Sequence, residues 1–109
     1  MRGPRQIHAT VEEKLNELFA LCQQHRVKRL ALFGSAATGE FDPARSDLGF
    51  VVEYESQEPM KLADNYFGLL FGLEALFGRH IDLVERKAIK NRFFRQSMEE
   101  TQVMVYEAA

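Results

Sequence analysis

The chain has 109 residues, 46% of them hydrophobic and 28% charged, the balance of one globular domain with a modest core rather than of a disordered segment. A formal net charge of −2 lacks the basic excess by which nucleic-acid binders grip backbone phosphates, so generic DNA or RNA binding is disfavoured. The single cysteine, Cys22, excludes an internal disulfide, and the most apolar stretch, Tyr66 to Phe77, contains Glu74 and falls far short of the ~20 residues of a membrane span.

Residues 1–9 read as a loose arm without the apolar run of a secretory signal, and the expected setting is cytoplasmic. Thr10 followed by Glu13 has the pattern of a capping box. Val11, Leu15, Leu18, Phe19 and Cys22 then recur at helical spacing and predict an amphipathic helix over 11–25, with Cys22 as a small buried hydrophobe. Val27 to Phe33 ends in the apolar run Leu30-Ala31-Leu32-Phe33 and stops at Gly34-Ser35, a buried strand running into a tight turn. Gly39, Asp42 and Pro43 mark a loop.

Asp47 to Tyr54 predicts a second strand, with Leu48, Phe50 and Val52 on one face and Asp47, Gly49, Val51 and Glu53 on the other. After the turn at Ser56–Pro59, Leu62, Tyr66, Leu69, Leu73, Leu76 and Phe77 step by three or four and predict a helix over 60–77, stopped by Gly78. His80 to Glu85 is a short third strand, Ala88 to Gln102 a helix and Val103 to Tyr106 a final strand. The order α-β-β-α-β-α-β does not alternate strictly. It predicts one domain over 1–109 of the α/β (α+β) class, a small mixed sheet with helices packed on it.

A strand that ends in Gly-Ser suits phosphate, because glycine lets the backbone approach and the serine hydroxyl and following N–H groups can donate. Strand ends also carry glycine for turn geometry alone, so the pair gains weight only from its surroundings. Those are Leu32-Phe33-Gly34-Ser35, then Ser46-Asp47-Leu48-Gly49-Phe50-Val51-Val52-Glu53, then Leu76-Phe77-Gly78-Arg79-His80-Ile81-Asp82-Leu83-Val84-Glu85, with Ala63–Leu70 between them and Val105-Tyr106-Glu107-Ala108 at the end. In this order they resemble the minimal nucleotidyltransferase (MNT) family of the DNA polymerase beta-like superfamily over nearly the whole chain.

The resemblance implies the nucleotidyltransferase fold and assigns Gly34 and Ser35 to nucleotide binding. It gives Asp47 and Asp82 catalytic roles as ligands of Mg²⁺, with ATP as substrate or ligand. It implies transfer of AMP to a hydroxyl with release of pyrophosphate, and partnership with a HEPN-type toxin whose antitoxin this chain would be. Two departures stand out: Thr38 occupies a place where many members carry arginine, and the second aspartate of Asp-x-Asp falls on Gly49. Hard divalent cations want oxygen ligands, and glycine offers none. Losing a metal's charge stabilisation costs ~several kcal/mol in the transition state, or roughly 10² or more in rate. Glu53 shares the strand face but lies about 13 Å further along, a poor substitute.

Two classes of function therefore stay open: a nucleotidyltransferase with impaired catalysis, or a non-catalytic module that binds nucleotide or a protein. A possible homo-oligomer belongs to the second class, with the stripe of helix 60–77 offered to another chain. The basic segment Glu85–Arg92 with Arg95 reads as a solvated loop and helix face ahead of a contact for a triphosphate or an acidic partner, and Phe93 and Phe94 read as core ahead of partner contacts. Tyr66 and Phe67 fit core or interface equally, and His8, His25 and His80 have no metal-ligand spacing.

Overall fold

A computed structural model describes residues 9–34, 37 and 47–108. The first predicted helix forms as two pieces, α1 (Ala9–Glu12) and α2 (Leu15–Gln24). Thr10, expected at the helix cap, lies within α1 as its second residue; the chain turns at Lys14, whose N–H donates to the Val11 carbonyl at 2.9 Å. Ala9, expected in the loose arm, already opens α1, and residues 1–8 lie outside the described set. Val11, Leu18 and Cys22 point into the core as their spacing predicts.

Strands β1 (Val27–Phe33), β2 (Leu48–Tyr54), β3 (Ile81–Glu85) and β4 (Val103–Glu107) form one sheet in the order β3-β2-β1-β4. β1 is antiparallel to both β2 and β4, and β2 is parallel to β3, so the sheet is mixed as expected. A parallel pair needs a crossover, and α3 (Pro59–Phe77) supplies it. Pro59 opens α3, where its missing N–H costs nothing, and Gly78 closes it in the left-handed region at φ 62.

Alternation along the strands divides the sheet into two faces. Leu30, Leu32, Leu48, Phe50, Val52, Ile81 and Leu83 look one way and pack with Leu18 and Cys22 of α2 and Leu69, Leu73 and Phe77 of α3. The helices approach closely: a Cβ on Gly68 would lie 2.4 Å from the His25 ring, and one on Gly72 2.7 Å from Leu21. The stripe of α3 is thus spent largely on this core, and the large apolar side chains that α3 leaves exposed are Met60, Phe67 and Phe71. No helix among the described residues is long and apolar enough to cross a membrane.

The opposite face carries a smaller cluster: Ala31 and Val51, with Phe33 and Val84 packed against it, covered by Ile89 and Met98. The single helix expected over Ala88–Gln102 is broken there. A 3₁₀ turn (Arg86–Ala88) precedes buried Ile89, and α4 (Arg92–Thr101) starts only after Asn91, whose side-chain oxygen accepts from the N–H groups of Phe93 and Phe94 at 2.9 and 3.1 Å.

Candidate functional site

The second face is left uncovered at one end, where the strand ends meet. The pairing register sets Phe33 beside Gly49 and Gly49 beside Asp82, a row across β1, β2 and β3. Beyond Phe33 the backbone turns at Gly34 with φ 76, in the left-handed region that favours glycine, and the Gly34 carbonyl accepts from the Ala37 N–H at 3.0 Å. Asp47 immediately precedes β2. Phe33, Gly34, Asp47, Gly49, His80 and Asp82 together line one pocket of about 170 Å³. Gly34, Asp47 and Asp82, assigned from sequence to one site, therefore converge; Ser35, assigned with them, lies outside the described residues, as does Thr38.

His80 was given no role by spacing, yet its Nδ1 lies 3.3 Å from Oδ2 of Asp47. Parallel pairing of Leu48 with Ile81 explains this, because the residue before each strand falls beside its counterpart. The Leu48 N–H also donates to the His80 carbonyl at 3.4 Å. Only knowledge that β2 and β3 are parallel neighbours could have revealed the pair. Asp47, His80 and Asp82 are all exposed, so these groups are open to a ligand from solvent.

The place of the missing carboxylate is apolar. A Cβ built on Gly49 would meet Cε1 and Cζ of Phe33 at 3.1 Å and the Phe33 carbonyl oxygen at 3.2 Å. The phenyl ring thus lies over the glycine. Glu53 does not compensate, since it is engaged by Arg29 at 3.4 Å and Arg86 at 3.5 Å. Two carboxylates and open solvent suit one hard cation completed by water and phosphate oxygens, whereas a bridged pair of cations has no shared ligand at position 49. No group of three or more His, Cys, Asp or Glu side chains gathers for a metal among the described residues.

A larger groove, about 560 Å³, runs beside α3 and β3 between Leu62, Tyr66, Phe67 and Leu83. Volume does not make it the chemical site: its walls are mainly apolar, and the Tyr66 hydroxyl is already committed, donating to the Leu83 carbonyl at 2.6 Å. Burial, with Asp82 and Glu85 nearby, raises the Tyr66 pKa. The basic run is partly used in the structure. Arg86 pairs with Glu53 and Glu99, and Arg95 donates to the Ile89 carbonyl at 2.5 Å. Phe93 and Phe94, expected in the core, are 71% and 45% exposed, because the break at Ile89–Asn91 resets the helical phase and Met98 becomes the buried residue of α4.

Residues 12–104 match the family described as nucleotidyltransferase domain. A "putative protein adenylyltransferase", MJ1379 of Methanocaldococcus jannaschii, is 34% identical over 85 residues, covering 78% of this chain and 83% of that protein. Among solved structures, one described as a "putative minimal nucleotidyltransferase" superposes with TM-score 0.73 at 26% identity, covering 93% of this chain and 98% of that one. The complex of a tri-AMPylated Shewanella oneidensis HEPN toxin with an MNT antitoxin contributes a chain with TM-score 0.60 and 14% identity, covering 89% of this chain and 72% of its own. At that identity the likeness speaks to the fold.

Proposed function

This chain belongs to the nucleotidyltransferase domain family, and from that premise we propose that it binds a nucleoside triphosphate, ATP in the first instance, and neutralises a HEPN-type toxin as an MNT-type antitoxin. The observation that carries the reading is the meeting of Gly34, Asp47 and Asp82 in one solvent-open pocket. The turn at Gly34, with Ser35 after it, holds phosphate oxygens. Asp47 and Asp82 hold Mg²⁺, which when bound neutralises charge on the phosphates. His80 steadies the Asp47 carboxylate from the pocket wall.

In the transfer, an acceptor hydroxyl oxygen bonds to the α-phosphorus, the bond to the β-phosphate breaks, pyrophosphate leaves and the hydroxyl proton is lost to base. Gly49 removes one expected ligand, so the rate is lower by roughly 10² or more than in an Asp-x-Asp site. A second reading, binding without transfer, is favoured by the Phe33 ring packing within 3.1 Å of where a Cβ at 49 would stand, so that an aromatic ring rather than a carboxylate borders that place.

Two measurements test these readings. Calorimetric titration with ATP, with and without Mg²⁺, is expected to give binding that tightens with the metal; absence of ATP binding ends the proposal. Labelled ATP, Mg²⁺ and a HEPN-type protein are then combined. Slow labelling of the toxin supports impaired transfer, whereas binding and toxin neutralisation without label supports the second reading.

A further inference from the structure

The proposed phosphate pocket occupies one end of the second sheet face, and α4 covers the other end. The boundary between them is aromatic. Phe33 lines the pocket, and the Phe94 ring stands edge-on to it, centroids 6.2 Å apart at 84°. Phe94 and its neighbour Phe93 remain 45% and 71% exposed although apolar side chains of this size are normally buried. The Asn91 cap fixes the first turn of α4, from which both side chains project, and the Phe94 ring stands against Phe33 at the edge of the pocket. Arg92 adds a cation over the Phe93 ring, its guanidinium carbon 5.2 Å from the centroid. The arrangement sets one half-exposed aromatic ring, Phe94, beside the pocket, with Phe93 and Arg92 preceding it on the same helix turn.

We propose that Phe94 is the nucleobase platform of the site: the base of a nucleotide whose phosphates lie at Gly34, Asp47 and Asp82 stacks on its ring. The inference rests on the nucleotide reading above and deepens it by assigning the base subsite. Every base has a π-face, and this platform offers aromatic area rather than a hydrogen-bonding edge. Selection is therefore by stacking area, with purines ahead of pyrimidines and little distinction between ATP and GTP.

The test is a calorimetric comparison of ATP, GTP, CTP and inorganic tripolyphosphate, each with Mg²⁺, on the full chain and its variants. Phe94→Ala is expected to weaken ATP and GTP about tenfold and leave tripolyphosphate unchanged. Phe94→Trp should restore ATP affinity, and Phe94→Leu, apolar but without a π-face, should not. Phe67→Ala, on the exposed side of α3, serves as a control with unaltered binding. The base platform is overturned by Phe94→Ala binding ATP as the parent does, by equal losses for ATP and tripolyphosphate, or by a parent chain that does not prefer ATP to tripolyphosphate. That last result leaves the phosphate pocket standing; a parent chain that binds neither ligand overturns both readings.

Discussion

The two faces of the sheet use the same strands for opposite ends. On the face toward α2 and α3, Leu30, Leu32, Phe50 and Val52 are sealed beneath two helices. On the other, α4 reaches only far enough to cover Ala31 and Val51, and the strand ends beyond are left to Gly49, Asp47 and Asp82. Strand alternation makes this possible, since one residue's step moves a side chain from core to site. Stability and chemistry are thereby separated by the thickness of a strand, and substitutions should sort accordingly.

The largest effect belongs to the closed face. Phe50 is fully buried and stacks on Phe77 at 6.1 Å. Phe50→Ala should cost ~3–5 kcal/mol, read as a lowered urea midpoint. A loss no greater than that of an exposed-site substitution would erase the distinction between the faces.

The same face predicts alkaline sensitivity. Burial pushes the Cys22 thiol up to about 12, and burial, reinforced by Tyr66, Glu85 and Cys22, raises Tyr54 as well. Both groups are neutral when protonated, and the folded state keeps its protons to higher pH than the unfolded chain does. Stability is therefore intact below about pH 9 and falls as pH rises from there toward 12, by up to ~1.4 kcal/mol per pH unit for each such group. Urea unfolding across that range should give a shallower fall for Cys22→Ala than for the parent; parallel curves would remove the thiol from the account.

Position 49 lies where the two demands meet. Gly49→Asp must displace the Phe33 ring by a few tenths of an ångström and should cost ~1–3 kcal/mol in thermal or urea unfolding. It should also raise the rate at which label passes from ATP to a HEPN-type acceptor. A folded variant with no gain in rate would place the defect elsewhere in the pocket. The smallest stability effect is expected at the open end: Asp47→Asn and Asp82→Asn should change unfolding by no more than ~0.5 kcal/mol, since both carboxylates are exposed. Each should nevertheless abolish the Mg²⁺ dependence of ATP binding in calorimetry. Large destabilisation by either would show that these side chains serve the fold.

Much of this was legible before any coordinates. The run Leu30–Phe33 announced a buried strand, Pro59 and Gly78 bracketed α3, and the spacing of Gly34, Asp47 and Asp82 within a known family pattern marked the pocket. These signals are local: periodicity, backbone permission at glycine, and the absent N–H of proline act within a few residues. What the sequence hid depends on which strands become neighbours. The contact of His80 with Asp47 required β2 and β3 to pair in parallel. The ring of Phe33 over Gly49 required β1 and β2 to pair in one register. The outward turn of Phe93 and Phe94 required Ile89 to be drawn onto the sheet, breaking a helix whose periodicity had looked continuous. By itself, then, the sequence determined most of the segments, their punctuation and the residues that line the pocket. Tertiary structure alone decided what fills the gap at position 49 and which aromatic rings stay in water, because long-range pairing and burial set those contacts and no local preference encodes them.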